Sequence, residues 1–505
     1  MMTARMTRRL PAVIAAACLA AGGPVWAAEP APFLSLPPSI LPTDTAPGSP
    51  EAALPSAGRP TIPVRTAHTG PAPSLSMQAA VDRAVRWHPL LQNARGQLLQ
   101  VSEGIKTARS GYYPVVSGGV NAQTSNQNIG DTGRKNQQRA EIQLSQMLYD
   151  FGKVGSEVDQ ARAASGAARA QMLLSFDQVI LNTLQAWIEV HRNEALVKVA
   201  QEQADVLTTL TQRVKERGEQ GAGTSSDTSQ AQARVEAAQV ALLTAQSQVQ
   251  LWRTTLMYWA GTAVPPQVTG TPAAVLDGAC LAAEATYRAD DSGAPLQSVS
   301  SVQMAQAQLE VAQAGLALAD AQLRPTLSLS GSAGRRLGST PDNGDARSLD
   351  ASVMLNLSVP LYQGGRLQSG RQSASYGVES ARAALNQARL NASQGWQSAV
   401  LEWRKFSGRI GLQAERQANM DATRVLYRDQ YLQLGTRSLL DLLNAEQEYY
   451  TSLNDQIESQ HEIYRQSAEC LYYMGRLREA FQTDDIVART TTLPDEVVTT
   501  DEARP

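Results

Sequence analysis

Apolar positions along this chain fall into long helical seams. Ala231, Val235, Ala238, Leu242, Ala245, Val249, Trp252, Leu256 and Trp259 alternate spacings of four and three, the seam of a coiled-coil-like helix. The stretch before it, Gly152–Arg217, predicts one helix of 66 residues, roughly 100 Å long at 1.5 Å per residue. That helix carries two stripes: one runs through Val158, Ala161, Met172, Val179, Ala186, Val190 and Val197, the other through Leu174, Leu181, Ile188, Ala195, Val199 and Leu210. One stripe needs one partner, whereas two require a neighbour on each side. Helices so flanked form a sheet-like array or, if the array closes, a hollow barrel; an antiparallel hairpin inside a larger bundle is the alternative.

Period-two alternation marks four strands, at 115–121, 138–147, 326–333 and 348–359. Ala351-Ser352-Val353-Met354-Leu355-Asn356-Leu357-Ser358-Val359 alternates aliphatic with mostly polar residues, as a strand facing lipid on one side and water on the other requires. Polar loops at 126–136 and 338–345 join each pair. Pro114 and Pro325 stand where helix becomes strand, because the residue before proline avoids the helical region. Gly152, Gly364 and Gly365 mark the return to helix. A membrane barrel needs about eight strands at least. Four per chain therefore point to an oligomer, and three chains supply twelve.

The whole scheme occurs twice. Pro114, Tyr149, Gly152 and Gly223 have counterparts in Pro325, Tyr362, Gly365 and Gly435, a constant offset of about 212 residues that marks a duplicated unit. The first repeat spans 75–265, with a helix over 76–113, a tip at 218–227 and a returning helix over 226–259. A connection covers 266–296. The second repeat spans 297–477, with helices over 297–323, 365–434 and 438–474 and a tip at 435–441. Residues 478–505 lose periodicity and are expected to be a flexible tail.

Composition narrows the class. Of 505 residues, 44 are Lys or Arg and 47 are Asp or Glu, and no basic stripe suits a nucleic-acid partner. Arg5, Arg8 and Arg9 precede the apolar run Leu10–Ala21, and Val25-Trp26-Ala27 suits cleavage, so 1–27 reads as an export signal. Cys18 is the alternative, as a lipidation site. Residues 28–74 read as a Pro-rich disordered linker, with twelve prolines between Glu29 and Ser74 and too few large apolar residues to offset ordering entropy. Past the signal no apolar run reaches the ~18 residues of a spanning helix. Cys280 and Cys470 remain after export, and an exported location permits a disulfide between them. Two unpaired thiols are the other reading.

No catalytic constellation emerges. His68, His88, His191 and His461 are scattered, and the two cysteines lack metal-ligand spacing. Asp150-Phe151-Gly152 is a strand-to-helix turn without the remaining kinase motifs. Gly218–Gly223 follows a helix rather than a strand, which excludes a phosphate cradle. An enzyme is not expected, nor a cofactor or bound metal. A periplasmic coiled-coil adaptor or structural rod is the competing non-enzymatic class, but it has no use for two inserted strand pairs.

Strand, strand, long helix, Gly-Thr-x-Ser tip and helix, given twice over 76–477, resembles the TolC family of outer-membrane exit ducts. Gly435-Thr436-Arg437-Ser438-Leu439-Leu440-Asp441-Leu442-Leu443-Asn444-Ala445-Glu446-Gln447 is the most specific stretch. The resemblance implies a mainly α fold with a small β part: a homotrimeric duct whose 12-strand transmembrane β-barrel continues into a 12-helix periplasmic α-barrel. It implies residence in the outer membrane, in contact with its lipid. The implied partners are a periplasmic adaptor protein and an inner-membrane ABC transporter, or alternatively an RND-type pump. Cys470–Leu477 and the Leu-Asn-Ala-Glu-Gln-Glu-Tyr run look like members serving type I secretion of an unfolded polypeptide such as an adhesin or toxin. Multidrug efflux of small molecules is the alternative.

Carried over by motif, Ser226, Asp227 and Arg437 occupy a periplasmic gate latch. Asp441 and Asn444 take the two positions of a constriction ring, the second without its acid, and a latch tyrosine position falls on Leu432. The tips Gly223, Thr224, Ser225, Gly435, Thr436 and Ser438 would meet the adaptor. Three copies of Asp441 around a symmetry axis would raise one another's proton affinity or recruit cations. Read without the resemblance, Ser226 and Asp227 cap the following helix.

Overall fold

A computed structural model describes residues 73–125, 135–272, 274–282, 294–337 and 349–492, all within the unit Arg65–Pro505. The export signal, Cys18, the Pro-rich stretch through residue 72, most of both hairpin loops and the end of the tail lie outside them.

A short strand β1 (Ser74–Leu75) pairs in parallel with β4 (Gln267–Val268). Between them run α1 (Met77–Trp87), α2 (Pro89–Arg109), β2 (Val115–Ser125), β3 (Lys135–Tyr149), α3 (Lys153–Glu219) and α4 (Ser225–Ala260). The second half supplies α5 (Ser300–Ala321), β5 (Thr326–Leu337), β6 (Leu349–Ser358), α6 (Arg366–Asp429) and α7 (Leu439–Tyr473). Two short helices follow, α8 (Leu477–Ala480) and α9 (Asp484–Thr491).

The helix expected over 76–113 is two helices. Pro89 forbids helical backbone at His88, whose φ of −61° and ψ of 129° end α1. Pro89 then opens α2, where a missing N–H costs nothing. The His88 ring stacks on Trp259 of α4 with centroids 4.8 Å apart, which fixes the bend. By contrast α3 runs unbroken for 67 residues. Its start is anchored by Asp150, whose carboxylate accepts from the Gly152 and Val154 amides at 2.9 and 2.5 Å, while Gly152 sits at φ +91°. Arg324 of the second repeat donates to the Phe151 carbonyl at 2.7 Å, tying the two strand-to-helix regions together.

The strands extend further than their alternation indicated, reaching Ser125, Lys135 and Leu337. They form one antiparallel sheet in the order β2-β3-β5-β6. Register aligns Val116 with Leu144, Gly331 and Val353, and Gly118 with Ile142, Ala333 and Ala351, so one face is aliphatic or small across all four strands. The other face aligns Ser117, Gln143, Ser332 and Ser352, with the two serine hydroxyls 2.9 Å apart. Both faces are open to solvent in the chain; Val353 is 78% exposed.

This sheet corrects the expected closed barrels. β2 and β6 are edges with no further strand beside them among the described residues, and the four strands fall short of the number that closes a cylinder. The helices pack as hairpins, α3 with α4 and α6 with α7, bridged by α5 and by α3 against α7. The chain is a mainly helical fold with a small open sheet, and neither the 12-strand barrel nor the 12-helix barrel is present in it.

Several apolar clusters hold the helices, two of them large. The larger gathers Met77, Ala80, Val81, Phe176, Val179, Ile180, Leu184, Trp187 and Leu256, and the Trp187 indole N–H donates to the Leu75 carbonyl at 3.0 Å. Leu477, Phe481 and Val487 join it. The tail expected to be flexible from 478 is therefore packed through α9, because Phe481 is wholly buried. The second core, Leu207, Leu210, Val214, Ala231, Val235, Tyr431, Leu439, Leu442 and Leu443, lies toward the tips.

Cys280, in the inter-repeat connection, is bonded to Cys470 near the end of α7, with Cα atoms 5.4 Å apart. Both are buried beside Trp396, Ala399 and Val400 of α6.

Candidate functional site at the helix tips

The first tip is closed by its own hydrogen bonds. The Ala222 amide donates to the Arg217 carbonyl at 2.9 Å, and Gly221, at φ +79°, makes the turn. Thr224 then caps α4: its hydroxyl accepts from the Asp227 amide, while the Asp227 carboxylate accepts from the Thr224 amide, both at 3.1 Å. This reciprocal box satisfies two otherwise orphaned donors, and a carboxylate in the first turn also suits the helix dipole. Ser225 and Ser226 fill the first two positions of the helix.

The second tip has a different entry. α6 ends in a π turn at Gln430–Leu434, in which the Gly435 amide reaches back to the Gln430 carbonyl. Gly435 takes φ +62°, and the Thr436 amide also donates to Gln430 at 3.1 Å. Ser438 caps α7 by accepting from the Asp441 amide at 3.1 Å. Arg437 folds back over the end of α6: its guanidinium carbon lies 4.4 Å from the centroid of the Tyr427 ring. Its Nε donates to Gln430 Oε1 at 3.2 Å, and its Nη1 stands 3.6 Å from Asp441 Oδ2.

The residues singled out from the sequence are thus brought together within each tip, Thr224 with Asp227 and Arg437 with Ser438 and Asp441. Among the described residues no ion pair joins Asp227 to Arg437. Asn444 does link the hairpins, accepting from Arg234 Nη2 of α4 at 3.4 Å.

Two contacts escaped sequence reasoning. Arg217 Nη1, near the end of α3, donates to the carbonyls of both Tyr431 and Leu432 at 2.7 Å, with its guanidinium carbon 4.9 Å from the Tyr431 ring centroid. Burial pushes the Tyr431 phenol upward in pKa; nearby Asp227 adds to the shift and Arg217 opposes it. Glu446 of α7 is buried between two arginines of α6, with Arg428 Nη2 at 2.5 Å and Arg424 Nη1 at 3.3 Å. Arg424 also covers the Tyr449 ring at 3.8 Å. The available signal was the four-residue spacing of Arg424 and Arg428, and of Tyr427 and Tyr431, on one side of α6.

The tip chemistry amounts to caps, ion pairs and cation–aromatic contacts. Nothing in it positions a nucleophile beside a base, and among the described residues no cluster of three His, Cys, Asp or Glu forms a metal site. No described helix is long and apolar enough to cross a membrane.

Comparison with known proteins gives the architecture its context. The family model described as outer membrane efflux protein matches residues 80–262 and again 294–476, one match for each repeat. The outer membrane efflux protein BepC of Brucella suis is 23% identical over 410 residues, covering 80% of this chain and 86% of its own. The alkaline protease secretion protein AprF of Pseudomonas aeruginosa is 25% identical over 360 residues, covering 67% and 70%. Among solved structures, the outer membrane protein VceC of Vibrio cholerae shares the fold with a TM-score of 0.67 at 19% identity, over 79% of this chain and 96% of its own. This is a channel-type transport protein, not an enzyme, of the Gram-negative outer membrane with a periplasmic extension. With both repeats matched, the chain belongs to the outer membrane efflux protein family.

Proposed function

We propose that this chain is the outer-membrane exit of a tripartite efflux system, passing small molecules received from an inner-membrane pump through a periplasmic adaptor. The observation that carries the reading is the double match to the outer membrane efflux protein model over 80–262 and 294–476. The similarity to BepC, itself named an efflux protein, supports it. On this reading the chain works as a homotrimer. Gly223, Thr224, Ser225, Gly435, Thr436 and Ser438 present small, capped tips to the adaptor, and Asp441 and Asn444 face the narrowest part of the path.

Type I secretion of a polypeptide is the second reading. It is favoured by the similarity to AprF, named for alkaline protease secretion. Deleting the gene in its own host separates the two. Efflux predicts at least a fourfold fall in the inhibitory concentrations of dyes, detergents and hydrophobic antibiotics, with the secreted proteins unchanged. Loss of one large secreted protein with unaltered drug tolerance would move the assignment to secretion. No change in either would reject both.

A further inference from the structure

α2 and α3 diverge where helix gives way to strand, and a groove of about 490 Å³ lies between them. Arg109, Tyr112 and Tyr113 line it from the end of α2 and the turn that follows, and Val158, Asp159 and Arg162 line it from the start of α3. Local sequence shapes this place. The chain leaves α2 through a tight turn at Ser110–Tyr112. Gly111 lets that turn press on α3, since a Cβ there would stand 2.9 Å from Val154. The Tyr112 carbonyl accepts from Gln146 Nε2 of β3 at 3.0 Å, so the groove is fixed to the sheet as well as to both helices.

Its charge is unbalanced. Asp159 is the one acid in the lining, and Arg162 Nη1 meets it at 2.9 Å. No lining acid is left for Arg109, which stands exposed in the last turn of α2. Two guanidinium groups share one carboxylate, and the groove stays positive. The planar fork of a guanidinium matches the oxygens of a phosphate.

The side on which the groove opens follows from α3. That helix is unbroken, so Asp159 and Asp177, 18 residues and about five turns apart, project from the same flank. Asp177 is the residue that holds α8 through Arg478. A passage along α3 has to run on the opposite flank, which α8 leaves clear. The level of the groove follows from the sheet. Pro114 alone separates Tyr113 from β2, and the aliphatic face through Val116, Leu144 and Val353 is exposed in the chain, as the lipid-facing side of an outer-membrane sheet is. Tyr113, Tyr149 and Tyr362 are exposed where strands meet helices, and rings with an apolar body and a polar tip settle at the boundary of hydrocarbon and water. Lipid phosphates lie at that boundary.

We infer that this groove binds the headgroup of an anionic phospholipid in the periplasmic leaflet: Arg109 and Arg162 hold the phosphate, and Tyr112 and Tyr113 flank the start of the acyl chains. An anionic lipid supplies the charge that the groove lacks, whereas a zwitterionic one brings its own ammonium. The inference rests on the channel reading above, which decides which flank meets lipid, and the test separates the failure of one from the failure of the other.

Full-length protein in detergent is titrated with phosphatidylglycerol or with phosphatidylethanolamine of the same chain length, and native mass spectrometry counts the lipid bound per subunit. The wild type should bind phosphatidylglycerol about fivefold more tightly, the worth of roughly one basic residue near an anionic surface. Arg109→Gln should lose most of that preference and Arg109→Gln/Arg162→Gln all of it. Arg416→Gln, which removes a surface arginine of α6 paired with Asp455, should keep it. If the double variant fails to fold, Arg109→Gln decides by the same count. Equal binding of the two lipids by the wild type, or an undiminished preference in the Arg109 variants, would overturn the inference. Displacement of the bound lipid by millimolar inorganic phosphate would also overturn it, since that marks a site for free anions. Should the wild type pass no current across a planar bilayer while the preference and its loss both hold, the lipid site stands and the channel reading falls.

Discussion

His191 Nδ1 and His461 Nε2 face each other at 2.7 Å where α3 packs on α7. The tautomers follow from a third atom. His461 Nδ1 lies 2.7 Å from the Ile457 carbonyl, which only accepts, so Nδ1 carries the proton and Nε2 receives one from His191. The His191 ring stacks on Trp187, and Tyr464 meets His461 edge-on.

Acid should therefore loosen this packing. Burial pushes His461 down to about 4 from 6.5, helped by His191 and Arg192 and opposed by the Ile457 carbonyl. His191 is also lowered by burial, with Glu194 opposing and Lys198 assisting, and Glu194 is itself paired with Arg253 at 2.6 Å. The unfolded chain binds the proton first as pH falls from 6.5 toward 4, so stability declines through that window. A downward shift of this size corresponds to roughly 3 kcal/mol. Melting in detergent should fall between pH 7 and 4.5, and His461→Gln should flatten that decline; an unchanged slope in the variant would refute the assignment.

Asp177 predicts the opposite slope. Its carboxylate is buried, bonded to the Ser300 hydroxyl and paired with Arg478 Nε of α8 at 3.0 Å. Burial raises its pKa, against the pull of Arg478 and Ser300, and Asp484 adds to the rise. Removing the guanidinium as Arg478→Ala leaves a buried charge uncompensated, worth roughly 3 kcal/mol. Since the folded carboxyl then holds its proton more tightly than the unfolded one, the loss should grow with pH above 3.8. The melting deficit of the variant at pH 8 should exceed that at pH 5.

Glu446 is the internal brace of the second hairpin. Its side chain is 1% exposed between Arg424 and Arg428. Glu446→Ala leaves Arg428 without its acid and Arg424 with Asp421 alone, and should cost roughly 3 kcal/mol, whereas Glu446→Gln keeps acceptors and should cost less. Trypsin cleavage after Arg424 and Arg428 reports the difference: the alanine variant should be cut markedly faster.

The Cys280–Cys470 bond closes a separation of 190 residues. A crosslink over so long a span restricts the unfolded chain by about 3–5 kcal/mol. Its burial beside Trp396 keeps reductant out of the folded state. Dithiothreitol should leave the native bond intact and break it only near the melting transition, and Cys470→Ser should lower the melting temperature to that of the reduced protein.

Features set by a few neighbouring residues were legible in advance. The seam through Ala231, Val235 and Ala238 located α4 because helical period acts within two turns. Pro114, Pro325, Gly152 and Gly365 located the joints because each restricts or frees its own backbone. The same rule applied to Pro89 identifies the break at His88, overlooked because apolar period continues across it. Phe481 looked like part of a frayed end, since one buried aromatic in a short helix makes no periodic signal.

The amino-acid order alone thus determined the repeats, the long helices and the strands, all products of local sterics and short-range hydrogen bonding, whereas the caps fall to Thr224 and Ser438 rather than to Ser226. Only the tertiary structure decided that Arg217 reaches Tyr431 and Leu432, that Glu446 sits between Arg424 and Arg428, and that Asp227 serves its own helix. Those choices compare partners up to about two hundred residues apart, and the winner depends on which carbonyls and charges packing leaves without water. The sheet shows the same division: alternation gives each strand two faces, but pairing across β2, β3, β5 and β6 stops at two open edges because a ladder needs a further strand to continue.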